Sequence, residues 1–299
     1  MISRLSSDQV ARNFLSDLEG NYRSLARAQH QTSTGKRVLT PSDDPVGIAL
    51  ALGLRRDQGA NEAWGRNIDD SLTWMNTTDR ALGQALDVVQ RAHELAVQGG
   101  NGTLSADSRA LIAAEVETLK SQFVEIGNSS IGGRFIFGGT ATDRQPFDPV
   151  TETATAPINT NLMNREVAQG SVISVNITAD RLQDPPGATP DIFTVLDGLA
   201  TALRNNDSAG IAAALGQFDV HQDNISALRG EEAAKINRLE LTSSRFQAQE
   251  IATNEQLSRI EDVDMAQAIT DVTMRESVYR ASLAMGAKVI QPSLVDFLG

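Results

Sequence analysis

Three groups of residues in this sequence have types and spacings that could do chemistry. The run Gly133-Arg-Phe-Ile-Phe-Gly138-Gly139-Thr140 has the glycine spacing of a phosphate-binding loop. His93-Glu94 starts like the helix of a zinc protease, and Asp43-Asp44 is a pair of adjacent carboxylates. The corresponding chemistry would be nucleotide binding, zinc-dependent hydrolysis, and a paired-carboxylate or metal site.

None of the three patterns is complete. A phosphate-binding loop needs a lysine at the position of Gly139, so nothing here would counter the charge of the β- and γ-phosphates. The second zinc ligand would fall on Val97, and no nucleophile elbow accompanies His30, His93 or His221. We therefore predict no catalytic, cofactor-binding or metal site, and no enzymatic activity.

Asp43 and Asp44 have a simpler, structural interpretation. They lie in the segment 38–47, where Pro41 and Pro45 bracket them. This pattern predicts an extended stretch, a turn, and a new helix capped by Asp44 with Pro45 as its first residue. Both carboxylates also suit the positive N-terminal end of a helix.

The elements that position these residues are long helices with narrow apolar stripes. From Leu5 to about Ser33, apolar residues recur at helical spacing, and Gly35 is predicted to end the helix. Such a helix would be roughly 43 Å long. So narrow a stripe favours a partner helix over a globular core.

A second long helical pattern runs from Asp219 to Ile290 and would reach roughly 100 Å. The apolar residues beyond it would be costly to expose unless a partner covers them. We predict a subunit interface on both ends of the chain, formed by Val10, Phe14, Leu18, Leu25, Val272, Tyr279, Leu283, Ile290, Leu294 and Phe297.

Between the two ends, helical patterns cover 46–98 and about 105–128, and they resume near Asp191. From 131 to 190 the apolar period changes to two, and Pro, Gly, Thr and Asn become frequent. We predict a mainly α fold, with long antiparallel N- and C-terminal helices, a helical middle domain and a small inserted β-rich domain. The predicted domains are 1–37 with 255–299 (inner coiled coil), 38–130 with 191–254 (middle bundle) and 131–190 (outer, β-rich).

The composition agrees with long helices packed side by side. Aromatic residues make up 4% of the 299 residues, and there is no cysteine for a disulfide or thiolate metal site. The net charge of -12 argues against nucleic acid or an anionic membrane as a partner. The N-terminus lacks the apolar core of a secretory signal, so we expect any export to follow another route.

Two segments resemble the flagellin and hook-associated family. Residues 32–47 are similar to its N-terminal block in the hook-associated form, and residues 132–140 to a Gly-Arg-(Tyr/Phe)-(Ile/Leu)-Phe-Gly-Gly-Thr signature. The resemblance covers 1 to about 147 and 220–299. The residues that carry these two motifs are Gly35, Pro41, Asp43, Asp44, Pro45, Arg134, Phe137, Gly138 and Gly139.

The resemblance implies a structural subunit of the bacterial flagellum. It implies a ring of like subunits at the hook-filament junction, between a FlgK-type hook-associated protein and the flagellin filament. It also implies an extracellular location, type III export without a cleaved signal peptide, and an FlgN-type chaperone that holds the C-terminal region. One alternative is a filament-forming flagellin, against which the segments 40–42 and 137–139 argue. Another is a cytoplasmic coiled-coil scaffold.

Overall fold

The structure is a computed structural model that describes residues 2–185 and 190–290, with side chains described for 9–185 and 190–287. The described residues form seven helices and six short strands. The helices are α1 (Ile2–Thr34), α2 (Pro45–Gly99), α3 (Ala106–Gly127), α4 (Ala179–Gln183), α5 (Ile192–Asn205), α6 (Ser208–Glu261) and α7 (Met265–Ile290). The mainly α fold with long terminal helices is confirmed.

The strands form three separate antiparallel ribbons in the middle of the chain, which confirms the β-rich insertion. They pair as β1 (Ser130–Ile131) with β2 (Arg134–Phe135), β3 (Phe147–Asp148) with β4 (Thr153–Ala154), and β5 (Asn164–Ala168) with β6 (Ser171–Ser174). The short helix α4, which the sequence pattern did not predict, follows the last ribbon.

Local capping sets several helix boundaries. The Ser105 hydroxyl accepts a hydrogen bond from the amide of Ser108 at the start of α3, and Asp191 accepts from the amides of Phe193 and Thr194 at the start of α5. Asn206, in the left-handed conformation, ends α5.

The prediction of one nearly unbroken helix from Asp219 to Ile290 is wrong. α6 ends at Glu261 and α7 begins at Met265. Asp264 caps α7, because its Oδ1 accepts hydrogen bonds from the amides of Ala266 (2.9 Å) and Gln267 (3.2 Å). The apolar period continues across this break and therefore conceals it.

The chain divides into two compact units, Met1–Ala60 with Ala248–Gly299, and Asn61–Gln247. We call them the terminal unit and the middle unit. Helices α2 and α6 contribute residues to both. The threefold division predicted from the sequence stays a prediction.

The middle unit has one large core and one small one. In the large core α2, α3, α5 and α6 pack around Phe123, Phe147 and Phe193, whose rings meet edge to face at 5.3–5.7 Å. The small core joins the β5–β6 ribbon to α2 and α6 through Ile68, Met75, Val167, Ile173, Val175 and Leu239. The β5–β6 ribbon therefore packs against these helices through apolar side chains.

Candidate functional site

In the terminal unit, α1 and α7 pack against each other in antiparallel orientation. Their more buried positions alternate in steps of three and four residues, which is the pattern of a two-helix coiled coil. We call these positions the seam. On α1 they are Ala11, Phe14, Leu18, Asn21, Leu25, Ala28 and Thr32, and on α7 they are Ala268, Val272, Arg275, Tyr279, Ser282 and Gly286.

Close contacts along the seam fix its register. Gly286 lies against the Phe14 ring, and a Cβ atom at this glycine would overlap that ring. The Asn21 amide donates a hydrogen bond to the Ser282 hydroxyl at 3.0 Å. Tyr279 packs on Tyr22 with ring centroids 5.9 Å apart. Since the Asn21–Ser282 pair occupies fixed seam positions, it favours one register over a slipped one.

The seam contains five of the predicted interface residues: Phe14, Leu18, Leu25, Val272 and Tyr279. In the isolated chain these side chains are at least partly covered by the partner helix. Their contact with other subunits stays a prediction.

The other predicted interface residues lie elsewhere. Val10 and Leu283 are off the seam, with 53% and 45% of their surface exposed. Ile290 ends α7, and its side chain lies outside the described residues, as do Leu294 and Phe297 entirely. The predicted interface is therefore split between seam positions, exposed positions and residues outside the description.

Both flanks of the α7 seam carry exposed apolar side chains that were not predicted from the sequence. Met274, Val278 and Met285 follow one another by four and seven residues on one flank. Met265 and Ile269 lie with Leu283 on the other flank. On α1, Leu15 and Tyr22 are exposed seven residues apart. The sequence signal for these residues is a second set of apolar side chains that repeats at helical spacing next to the seam positions.

The segment between α1 and α2 is ordered by two aspartates. Asp43 Oδ2 accepts hydrogen bonds from the amides of Leu39 (3.2 Å) and Thr40 (2.9 Å) and from the Thr40 hydroxyl (3.0 Å). These bonds, led by that from the Thr40 amide, lower the pKa of Asp43. Asp44 Oδ1 accepts from the Gly47 amide at 2.8 Å and caps α2, with Pro45 as its first residue. Pro41 lies in the exposed turn that precedes them.

An ion cluster holds the end of α1 to the joint between α6 and α7. Lys36 Nζ lies 2.6 Å from Asp262 and 3.3 Å from Glu261, and Arg55 lies 2.7 Å from Glu261. The hydrogen bond to Asp262 raises the pKa of Lys36. Gly35 has a positive φ of 68°, and its carbonyl accepts from the Val263 amide at 3.0 Å. The ion cluster and this backbone hydrogen bond therefore fix the α1–α2 connection to the α6–α7 connection.

The glycine-rich motif forms tight turns with no room for a phosphate group beside the backbone of its last glycines. A Cβ atom on Gly138 would lie 2.8 Å from the Ala141 carbonyl, and Gly139, at φ +64°, lies against Asn159. Phe137 is fully buried, and its carbonyl accepts from the Ala179 amide at 3.0 Å. The motif thus anchors the β-rich insertion to the large core.

Arg134 is the charged residue of this motif. Its guanidinium lies over the Trp74 ring, 5.2 Å from the centroid, and its Nε donates to the Thr142 hydroxyl at 3.2 Å. The side chain therefore connects the β1–β2 turn with α2.

Within the parts of the chain that the structure describes, no group of three or more histidine and acidic side chains could hold a metal ion. No described helix combines the length and apolar character needed to span a bilayer. His221 is fully buried, its Nε2 lies 3.0 Å from the Pro190 carbonyl, and burial lowers its pKa.

Comparison with known proteins identifies both ends of the chain. The profile of the bacterial flagellin N-terminal helical region matches residues 5–142, and that of the bacterial flagellin C-terminal helical region matches residues 215–298. The first match contains most of α1, all of α2 and α3, and the glycine-rich motif. The second contains most of α6 and all of α7.

Full-length relatives agree with these matches. Flagellar hook-associated protein 3 of Salmonella typhimurium is 26% identical, covering 93% of this chain and 94% of its own. The flagellin of Bacillus subtilis is 29% identical, covering 96% of each chain. The hook-associated protein gives the statistically stronger alignment of the two.

A solved structure of a putative flagellar hook-associated protein from Vibrio parahaemolyticus has the same fold. It is 21% identical, has a TM-score of 0.68, and covers 74% of this chain and 100% of that one. With helical regions of the flagellin type matched at both ends and the fold shared along most of its length, the chain belongs to the family of bacterial flagellins and flagellar hook-associated proteins.

Proposed function

We propose that this chain is a structural subunit of the bacterial flagellum, a hook-associated protein of the FlgL type that joins hook to filament. One observation carries the proposal. The α1–α7 pair buries one apolar stripe in the seam and leaves further apolar side chains exposed on both of its flanks. Exposed apolar surface at helical spacing is costly in a monomer and is covered in an assembly of side-by-side helices.

The proposed partners follow from this role. Copies of the chain form a ring, with a FlgK-type hook-associated protein on the hook side and flagellin on the filament side. Before export, an FlgN-type chaperone holds the C-terminal region. The statistically stronger relationship to hook-associated protein 3 supports this proposal over a filament subunit.

A filament-forming flagellin is the second candidate, because the Bacillus subtilis flagellin aligns along 96% of this chain. Against it stand the segments 40–42 and 137–139, which have the hook-associated form of the family motifs. A cell makes far more flagellin than junction protein, so the amount of this chain in sheared filaments separates the two candidates.

The decisive experiment is deletion of the gene, followed by electron microscopy of the cells and an assay of flagellin in the medium. We expect hooks without filaments and abundant soluble flagellin. Loss of flagellin itself would identify this chain as the filament subunit. Flagella of normal appearance would contradict both candidates.

The proposed location is the extracellular hook-filament junction, reached by type III export without cleavage. We expect the intact chain in the medium of cells that lack hook-side partners, and its absence there when the flagellar export gate is inactivated. An unchanged amount in the cytoplasm of both strains would argue for a cytoplasmic scaffold.

A further inference from the structure

The middle unit contains a cavity of about 230 Å³ that the assembly role does not explain. Asp70 and Trp74 of α2 form one wall, and Arg134 of the β1–β2 ribbon and Arg165 of β5 form another. Ile131 and Met163 contribute apolar surface. All of these residues belong to one compact unit, in which the small core fixes the β5–β6 ribbon to α2.

Two guanidinium groups in this cavity lack a carboxylate partner. Neither Arg134 nor Arg165 has an acidic oxygen within 4 Å among the described residues, although Arg165 is half-buried. In the same unit, Arg181, Arg204 and Arg229 each have such a partner within 3 Å. Without such a partner, both guanidinium groups can form an ion pair with a carboxylate from outside the chain.

Among the described residues, the hydrogen-bond donors that line the cavity have few acceptors. A guanidinium has five N–H donors, and Arg134 uses one on Thr142 and a weak one on the Met163 sulfur at 3.9 Å. The Arg165 side chain makes no hydrogen bond with the described residues. The Trp74 indole N–H is buried and has no acceptor among them. Such donors suit a planar anion, which an arginine fork binds through two parallel hydrogen bonds.

The size of the cavity limits the occupant. Pockets for small organic ligands usually enclose about 300–1,000 Å³, so this one is better matched to a single side chain. A second copy of this chain can supply such a carboxylate, since it has 38 acidic residues and a net charge of -12. The two arginines outnumber the one lining carboxylate, Asp70, so charge complementarity favours a carboxylate from another copy.

We infer that Arg134 and Arg165 bind an Asp or Glu side chain of a neighbouring copy of this chain, with Trp74 packed beneath Arg134. The inference rests on the proposed function, because it requires copies to stand side by side. It goes beyond that function, because it places a specific electrostatic contact in the β-rich insertion. The insertion belongs to the middle unit, whereas the α1–α7 pair belongs to the terminal unit.

The test uses cells that lack the chromosomal gene and carry a plasmid copy. Arg165→Gln and the double variant Arg134→Gln/Arg165→Gln remove the proposed contact. Arg144→Gln is the matched control, because Arg144 is an exposed arginine of the same insertion that does not line the cavity and has no described ion pair. The measurements are filaments retained after fixed shearing, flagellin in the medium, and the unfolding midpoint of each purified variant.

We expect both cavity variants to retain roughly ten-fold fewer filaments than wild type, because loss of the charged contact weakens the attachment between neighbouring copies. Their unfolding midpoints and the behaviour of Arg144→Gln should match wild type. If the double variant is destabilised by loss of the Arg134–Trp74 contact, the single Arg165→Gln variant decides.

Two results would overturn the inference. The first is filament retention by Arg165→Gln that does not fall below that of Arg144→Gln. The second is binding of sodium benzoate to the isolated chain with a Kd below about 100 μM, lost in Arg165→Gln, which would identify the cavity as a site for free carboxylates. In either case, restoration of filaments by the wild-type plasmid leaves the proposed function standing.

Discussion

At the scale of single residues, Glu232 on α6 is a buried carboxylate whose ionisation is costly. Its side chain is fully buried, and neither carboxylate oxygen has a hydrogen-bond partner among the described residues. Lys235 Nζ lies 3.8 Å from this carboxylate. Besides burial, the charges of Lys235, Glu231, Asp79 and Arg181 also affect the pKa of Glu232. Burial raises the pKa of Glu232 to about 7, since the charged form loses its hydration.

This shift gives a pH dependence of known sign. In the unfolded chain Glu232 ionises near the ordinary glutamate pKa of 4.5, and in the folded chain near 7. Ionisation therefore favours unfolding as pH rises from 4.5 to 7, and the full penalty remains above 7. We expect Glu232→Gln to be more stabilising at pH 8 than at pH 4.5 by about 2–3 kcal/mol, as measured by urea unfolding at both values.

The neighbouring carboxylate provides a control of opposite sign. Hydrogen bonds from Arg181 and Lys235 lower the pKa of Glu231 to about 2. Its charged form stabilises the fold above pH 4.5, and this contribution is lost as pH falls toward 2. Glu231→Gln should therefore be destabilising at pH 8. Equal effects of the two substitutions at pH 8 would contradict the assignment of burial as the cause.

At the scale of elements, the α1–α7 pair depends on small residues at its seam. Gly286 allows the Phe14 ring to pack directly on the α7 backbone. In an ordinary helix, replacement of an interior glycine by alanine increases the free energy of unfolding by roughly 0.5–1 kcal/mol. Here the added methyl group must displace the ring, so the local effect is reversed.

We expect Gly286→Ala to weaken the seam and to increase hydrogen exchange of amides in α1 and α7. Gly216→Ala in α6 is the control, because no atom lies within 4 Å of the added methyl group, and it should be neutral or stabilising. Equal protection of α1 in wild type and Gly286→Ala would show that Phe14 can move without cost.

At the scale of the whole molecule, assembly should depend on exposed apolar residues more than on seam residues. Leu283 is 45% exposed on a flank of α7. Leu283→Asp should fold as wild type does, because the side chain is not needed in the seam, and should fail to join the flagellum, because a carboxylate would enter an apolar contact. The measurement is filament retention beside circular dichroism of the purified variant.

Ser277→Asp is the matched control for this prediction. Ser277 is exposed on α7, and its hydroxyl donates to the Thr273 carbonyl at 2.9 Å, on a face without exposed large apolar residues. It introduces the same charge six residues away. Normal filaments with Leu283→Asp, or equal loss with Ser277→Asp, would contradict an apolar contact at this flank.

The sequence predicted helix boundaries well where the signals are local. Asp44 and Pro45 start α2, Ser105 caps α3, and Gly35 follows α1 in the left-handed region. The break at 262–264 has an equally local signal in Asp264. The sequence pattern nevertheless predicts a continuous helix, because the apolar period continues through the break.

By itself, the sequence determined the long terminal helices, the β-rich insertion and the family, because helical period, turn residues and motifs are encoded by neighbouring positions. Only the tertiary structure separated the seam residues Phe14 and Tyr279 from the exposed Leu283, since all three share the helical spacing. It alone brought Arg165 to Arg134 and buried Glu232, because such contacts join residues far apart in the chain. Their charges acquire a consequence only when packing removes water from around them.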